Sequence, residues 1–428
     1  MYIEVIMCYI DVIDRLFSVI FIFLSLFYIH YPVIALVGVF THKSYPHSEH
    51  RNRFGLIIPV RNEEAVITNI INSIRKTDYP QDLLDIFVIA HNCTDNTAVI
   101  ARSAGARVYE YTNPEETTMG YAIRYLFERI EEDYGCNGYD GFFILNADNT
   151  LDEKYFDRMN DAFEYYDRKY VISSFRQASN FNESIMTVLY GVYFATSCNL
   201  GARGRTVLNI SNRIFGCGYL FNSDLVREGW KYVSITEDLE FSAKEILNGT
   251  GIRYCDDAVF YDEQPSSFKI MWRQRLRWAR GHILVIRESF TDLARAVFEP
   301  ERKNRFAAYD MATFNTLPTF IIIVVNLIRL VCLSLSPLFG ESIIQALRVA
   351  TYDIIDGSIS FCMFSITAYL LTMLCGQNRL RSVPFTKAAA GMLLFPLFLF
   401  FQYILDVQAL FSKNLQWKPI PHTGRRDT

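Results

Sequence analysis

Three short stretches carry residue types and spacings that could do chemistry. Asn146-Ala147-Asp148-Asn149 directly follows the apolar run GFFIL. A carboxylate at a strand end can hold a divalent cation, and Mg²⁺ typically takes one or two carboxylates plus substrate phosphates. The same letters also suit an Asx turn that caps the next helix. Thr236-Glu237-Asp238 precedes LEFSAKEIL, which reads as a Thr N-cap with acids in the first helical turn. A carboxylate projecting from such a helix start could instead take a proton from an attacking hydroxyl. Gln274, Arg277 and Trp278 in FKIMWRQRLRWARGHI stand at i, i+3 and i+4, so a helix puts them on one face. Arg273, Arg275, Arg280 and Arg287 surround them, as on a basic helix lying against an anionic membrane surface. The last two readings are compatible.

The elements that must position these groups alternate. Phe54–Val60 (FGLIIPV) predicts a buried strand, followed by a helix over 63–76. Ile86–Ala90 predicts a second strand, then the turn HNCTDNT and a short helix ending at Gly105. Ala106–Tyr111 is a third strand, Tyr121–Asp133 a helix and Gly141–Leu145 a fourth strand. This order predicts an α/β fold with a mostly parallel sheet, whose ligands gather at the carboxyl ends of the strands. The polar groups Arg61–Glu64, His91–Asp95 and Asn146–Asn149 all fall there.

Of 428 residues, 51% are apolar and 21% charged, which excludes both a disordered chain and one made only of membrane helices. The net charge of −4 supplies no field for nucleic acid. Nine scattered cysteines with no CxxC pair argue against a disulfide framework or a zinc site and for a reduced compartment. Leu16–Phe40 reads as one transmembrane helix, interrupted only by His30 and Pro32, and three more apolar stretches cover Met311–Phe339, Ile354–Cys375 and Ala388–Phe411. Lys43, Arg51 and Arg53 follow the first span while Glu4, Asp11 and Asp14 precede it, which predicts a cytoplasmic soluble domain in a multi-pass cell-membrane protein. Arg379, Arg381 and Lys387 mark a second cytoplasmic loop. The basic tail (Lys413, Lys418, Arg425, Arg426) conflicts with three crossings, so either the stretch around Pro396 is re-entrant or another segment is interfacial. The organisation expected is a first helix and linker (1–50), a soluble domain (51–265), amphipathic interface helices (266–310) and C-terminal membrane helices (311–428). Asn326 and Arg329 inside IIIVVNLIRLVC suggest either a sugar-lined channel or an Arg paired within the bundle.

The signal sharpens in combination. P-V-R-N-E-E, A-H-N-C-T-D-N-T-A, N-A-D, F-G-C-G, T-E-D, D-E-Q-P and Q-R-L-R-W follow in one order over about residues 50–290. In this the chain resembles the membrane-integrated inverting glycosyltransferases of family 2, which include cellulose, chitin, hyaluronan and poly-N-acetylglucosamine synthases. The resemblance implies a GT-A-type nucleotide-sugar domain that uses a UDP-sugar donor and Mg²⁺ or Mn²⁺. It places Val60, Arg61 and Glu63 around the nucleotide, His91 and Asp95 near the uridine, and Asp148 on the metal with Asn146 beside it. It puts Cys217 and Gly218 at the acceptor end and makes Asp238 the general base next to Glu237. Gln274, Arg277 and Trp278 close the site. The tail Trp417–His422 looks like the end of related bacterial members. The sequence departs from the family pattern at Asn146, which replaces a carboxylate, at His91, which replaces an acid, and at Met119, which replaces a lysine. The expected activity is extension of a polysaccharide at the cytoplasmic face, with membrane lipids around it and room for an oligomeric or export partner. The alternatives are transfer of one sugar to a lipid or lipid-linked acceptor, and a non-catalytic scaffold that keeps the fold.

Overall fold

The computed structural model describes residues 8–412, apart from 303, 315, 377–379 and 381–382. The basic tail, its Trp417–His422 motif, Arg379 and Arg381 therefore lie outside the described residues.

Two apolar helices come first, α1 (Tyr9–Phe27) and α2 (His30–Phe40). The first half of the sheet then alternates with helices: β1 (Phe54–Val60), α3 (Ile67–Arg75), β2 (Leu84–His91), α4 (Thr97–Ser103), β3 (Arg107–Tyr111), α5 (Met119–Asp133) and β4 (Gly141–Ile144). Next come β5 (Thr150–Leu151), α6 (Tyr155–Tyr165), β6 (Val171–Ala178), α7 (Ile185–Thr196), a π-helical turn (Ser197–Ala202), α8 (Arg203–Val207), β7 (Tyr219–Asn222), α9 (Glu237–Asn248) and β8 (Ile252–Asp262). The sheet order is β3-β2-β1-β4-β7-β6-β8-β5. Strands β1 to β4 pair in parallel, as expected. The other half is mixed, with β6 and β8 parallel and β7 and β5 antiparallel to their neighbours.

Every residue of β1 is buried, which its unbroken apolar run requires of a central strand covered on both faces. Leu56 and Ile58 join the core beneath α3 and α6, while Ile57 joins the opposite core beneath α5 and α9. Helix α3 starts at Ile67, not at residue 63. Residues 63–66 form a turn instead, closed by the Val66 N–H on the Glu63 carbonyl at 3.1 Å, and the Glu63 N–H is held by Thr97 Oγ1 at 2.8 Å.

After the sheet run α10 (Phe268–Phe298), α11 (Arg305–Ala312), α12 (Thr316–Ser334), α13 (Ile343–Cys375) and α14 (Phe385–Phe411). Among the described residues, four helices are long and apolar enough to cross a membrane, or five if α1 and α2 count as one bent span. The single first span read from the sequence is in fact two helices meeting at 40°. The break falls at Tyr28–Ile29, so Pro32 sits in the first turn of α2, where its missing N–H costs little. Pro396 lies inside α14, which continues past it, so no re-entrant turn forms there. The fourth apolar helix, Ile185–Val207, went unforeseen because it lies within the soluble stretch. Its window is 56% buried, against 17–28% for α12, α13 and α14, so it belongs to the protein interior. Arg329 forms ion pairs with Asp14 at 2.5 Å and Asp353 at 2.7 Å, which joins α1, α12 and α13, the pairing within the bundle expected as the alternative to a channel.

Candidate active site

Parallel pairing of β1, β2 and β4 brings three loops to one sheet edge. The loop after β1 and the loop after β2 are laced together: Asn62 Oδ1 accepts from the Thr94 N–H (2.8 Å), Asp95 Oδ2 from the Glu64 N–H (3.2 Å) and Glu64 Oε2 from the Asn96 N–H (3.1 Å). Asp95 Oδ1 in turn accepts from Thr97, whose hydroxyl oxygen receives Glu63. Arg61, Glu63, His91 and Asp95 thus share one cleft edge. Val60 differs: its side chain is in the core, so only its backbone reaches the site, where its carbonyl faces Cys93 Sγ. His91 Nε2 lies 2.7 Å from the Glu116 carbonyl oxygen, which can only accept, and 3.0 Å from Asn92 Nδ2, which has the Asn113 carbonyl as its own acceptor at 2.9 Å; the shorter carbonyl contact favours the tautomer protonated at Nε2. The imidazole stacks on Tyr111, and burial lowers its pKa, with the Arg61 charge adding to the effect.

The loop after β4 meets the F-G-C-G segment. The Asn149 amide is the junction: its Oδ1 accepts from the Asn146 N–H (2.9 Å) and from Cys217 Sγ (3.1 Å), and its Nδ2 donates to Asp148 Oδ1 (3.2 Å). One residue earlier, the Gly216 N–H donates to Asp238 Oδ2 at 2.6 Å. A short bonded path therefore runs from Asp238 through Gly216-Cys217 and Asn149 to Asp148, joining positions some ninety residues apart in sequence. Gly218 has φ +76°, and a Cβ there would strike the Phe260 ring, so both backbone and packing demand glycine.

Glu237 and Asp238 begin α9, the first buried and the second half-buried. Burial raises both pKa values, the Asp238 charge raises that of Glu237 further, and Arg277 opposes both shifts. Arg277 Nη1 donates to the Ile235 carbonyl at 3.1 Å, fixing the guanidinium beside the two acids. The shared face of α10 divides its contacts. Arg277 turns to the start of α9, while Gln274 Oε1 accepts from Tyr190 (2.8 Å) and Trp278 packs edge-on against Tyr190 and Phe194 of α7. The Phe194 ring also lies under Arg176, 3.8 Å from the guanidinium carbon, and Arg176 is paired with Asp262 of the D-E-Q-P motif. A small cavity of about 30 Å³ between Arg176, Phe194, Arg213 and Cys217 adjoins this wall.

The structure thus brings the candidate residues into two adjoining groups. Sequence reasoning missed Arg176, Tyr190 and Gly281. The last is where α10 approaches α9, since a Cβ on Gly281 would overlap the Thr236 side chain. The glycine after W-A-R was the one visible signal. Among the described residues, no group of three metal-ligating side chains gathers. Asp148 therefore offers a cation one carboxylate, which fits an ion completed by substrate phosphates and water.

A mixed eight-stranded α/β sheet with its acidic cleft at the strand ends defines a GT-A-like fold. Residues 141–403 match the model of glycosyl transferase family group 2, and residues 56–219 match that of glycosyl transferase family 2. The chain belongs to glycosyl transferase family group 2. It is 24% identical over 241 residues to the probable glycosyltransferase YdaM of Bacillus subtilis, covering 55% of this chain and 56% of that one. It is 23% identical over 258 residues to a poly-beta-1,6-N-acetyl-D-glucosamine synthase of Staphylococcus epidermidis, covering 58% and 59%. The match thus spans somewhat over half the length of these curated relatives. A mannosyltransferase from Pyrobaculum calidifontis, solved with GDP-Man and Mn²⁺, superposes with a TM-score of 0.55 at 15% identity, covering 90% of this chain and 99% of that one. At that identity the likeness establishes the fold.

Proposed function

We propose that the chain is an inverting, metal-dependent hexosyltransferase that adds sugars from a UDP-sugar to a growing polysaccharide at the cytoplasmic face of the membrane. The observation that carries this reading is the bonded path from Asp238 to Asp148. It sets a carboxylate able to take a proton beside one able to hold a cation. An acceptor hydroxyl attacks the anomeric carbon in line with the departing UDP, and Asp238 removes its proton. Burial favours this role by raising the Asp238 pKa toward the working pH. Arg277 lies beside the charge that grows on the diphosphate, a fixed electrostatic contribution. Glu237 keeps Arg277 and Asp238 in register. Arg61, Glu63, His91, Asp95 and the Val60 backbone bind the nucleotide. Cys217 and Gly218 form the floor beneath the acceptor, and Gln274 and Trp278 its wall. Asp148, next to Asn146, would hold Mg²⁺ or Mn²⁺, which when bound offsets diphosphate charge.

The poly-N-acetylglucosamine synthase relatives support a polysaccharide product, and the Mn²⁺ in the solved mannosyltransferase supports a divalent cation. A second reading, transfer of one sugar to a lipid or lipid-linked acceptor, is favoured by the pairing of Arg329 with Asp14 and Asp353, which satisfies its charge between helices without a sugar partner. The test is nucleotide release by detergent-solubilised chain across a panel of nucleotide sugars, with and without Mn²⁺ or Mg²⁺. Cation-dependent UDP release with one donor is expected, and no release with any donor would overturn the reading. Labelled product then separates a long ladder from a single added sugar.

A further inference from the structure

A buried ionic hub lies outside the site just described. Asp310 of α11 is 1% exposed. Its carboxylate takes two hydrogen bonds from Arg205 of α8, Nε to Oδ2 at 2.9 Å and Nη2 to Oδ1 at 3.0 Å. Arg213 Nη1 reaches the Asp310 carbonyl at 3.0 Å and Oδ2 at 3.2 Å. His30 Nε2 lies 3.2 Å from Oδ1. Burial opposes ionisation of this carboxyl, but Arg213 and Arg205 hold its pKa well below the usual range, so it stays charged.

The hub touches two structures of interest. His30 opens α2, immediately after the break in the N-terminal helix pair. Helix α11 closes round that break: the Tyr309 hydroxyl donates to the Phe27 carbonyl left over at the end of α1, and Tyr31 donates to the Thr313 carbonyl at 3.4 Å. On the other side, Arg213 begins the four residues that end at Gly216. Each of the four is anchored: Arg213 on Asp310, with its guanidinium 3.6 Å from the Phe314 ring, the Ile214 N–H on Ser242 (2.8 Å), Phe215 against Phe314, and the Gly216 N–H on Asp238. Ser242 itself donates to the Asp238 carbonyl at 2.8 Å.

We infer that Asp310 is a positioning residue for transfer, holding the Arg213–Gly216 segment against Asp238 and tying it to the break between α1 and α2. The inference rests on Asp238 as the base, but one of its readouts does not. Removing the Asp310 charge leaves two buried guanidiniums without their carboxylate, so the segment must shift. An error of about 1 Å at the reacting groups costs on the order of 100-fold.

The experiment compares Asp310→Asn, Asp310→Glu and His30→Ala in the full-length chain in detergent. For Asp310→Asn we expect kcat to fall by about tenfold to 100-fold while nucleotide KM stays within about twofold. The acid limb of the kcat profile moves to higher pH, because Asp238 loses the N–H that favours its charged form. Asp310→Glu restores part of the rate, and His30→Ala gives the same changes at smaller size. Independently of the base, maleimide labelling of the buried Cys217, read by peptide mass spectrometry, should quicken by about tenfold or more as the segment opens. Unchanged Cys217 labelling in both Asp310→Asn and His30→Ala would overturn the inference, even if Asp238 proves to be the base. So would a lower rate with an unmoved acid limb, because a smaller folded fraction alone gives that pattern. If Asp310→Asn does not fold, Arg213→Lys carries the same labelling test.

Discussion

The two halves of the cleft are built differently. On the side proposed for the nucleotide, neighbouring parallel strands deliver their polar loops to one edge, and the bonds that lace them involve exposed side chains such as those of Glu64 and Asn96. On the side proposed for the acceptor, Glu237 and Cys217 are buried and Asp238 and Arg277 half-buried, and the four come from three distant segments near the contacts of α10 with α7. The nucleotide side should therefore absorb single substitutions as graded losses of affinity. The acceptor side, close-packed and low in dielectric, should answer with losses of rate.

The largest expected effect belongs to Asp238→Asn. It keeps the shape and the bond from Gly216 but cannot take a proton, so turnover should drop by about 10²–10⁴-fold with UDP affinity retained. Near-normal turnover would refute the base assignment. In the unaltered chain the raised pKa of Asp238 has a sign that can be checked. The base form is lost as pH falls through that value, so activity should decline at a higher pH than an exposed aspartate would give.

Next comes Gly281→Ala. The added methyl would enter the Thr236 side chain and push α10 away from the start of α9, carrying Arg277 with it. Overpacking of this kind costs about 1–3 kcal/mol, and the displaced guanidinium should lower kcat by about tenfold or more. Measuring kcat and KM separately tests the comparison, because a change confined to donor KM would place α10 on the wrong side of it. Asp148→Asn should act more mildly on rate at saturating metal. It should raise the Mn²⁺ concentration for half-maximal activity by about tenfold or more, since Asp148 is the carboxylate available to the ion.

How far the letters reached follows the same division. Strand β1 was legible to the residue, because an unbroken apolar run between polar flanks has one stable place in an α/β sheet. The sheet-edge cleft followed from topology. The wall proposed for the acceptor was legible as motif and silent as geometry: the helical period put Gln274, Arg277 and Trp278 on one face, but which neighbour each would meet depends on α7, whose uniformly apolar stretch carries no period to read. The break at Tyr28–Ile29 was hidden for a related reason. Hydropathy measures length, while the bend is held by Tyr309 and Asp310, nearly three hundred residues away.

The smallest expected effect sharpens the nucleotide side. With its Nε2 proton committed to the Glu116 carbonyl, a neutral His91 presents Nδ1 as an acceptor, the role an acidic residue would fill. His91→Gln also provides an acceptor, so donor KM should rise by only about twofold to fivefold with kcat unchanged, and His91→Leu, which has none, should raise it further. Burial lowers the His91 pKa, so the ring is neutral at pH 7 and becomes charged only on acidification past the ordinary histidine range. The charged ring has no lone pair at Nδ1 and faces Arg61, so donor KM should rise on that acidification in the unaltered chain and stay flat in His91→Gln. An equal pH dependence in both would assign the change to another group and leave His91 a packing residue for Tyr111.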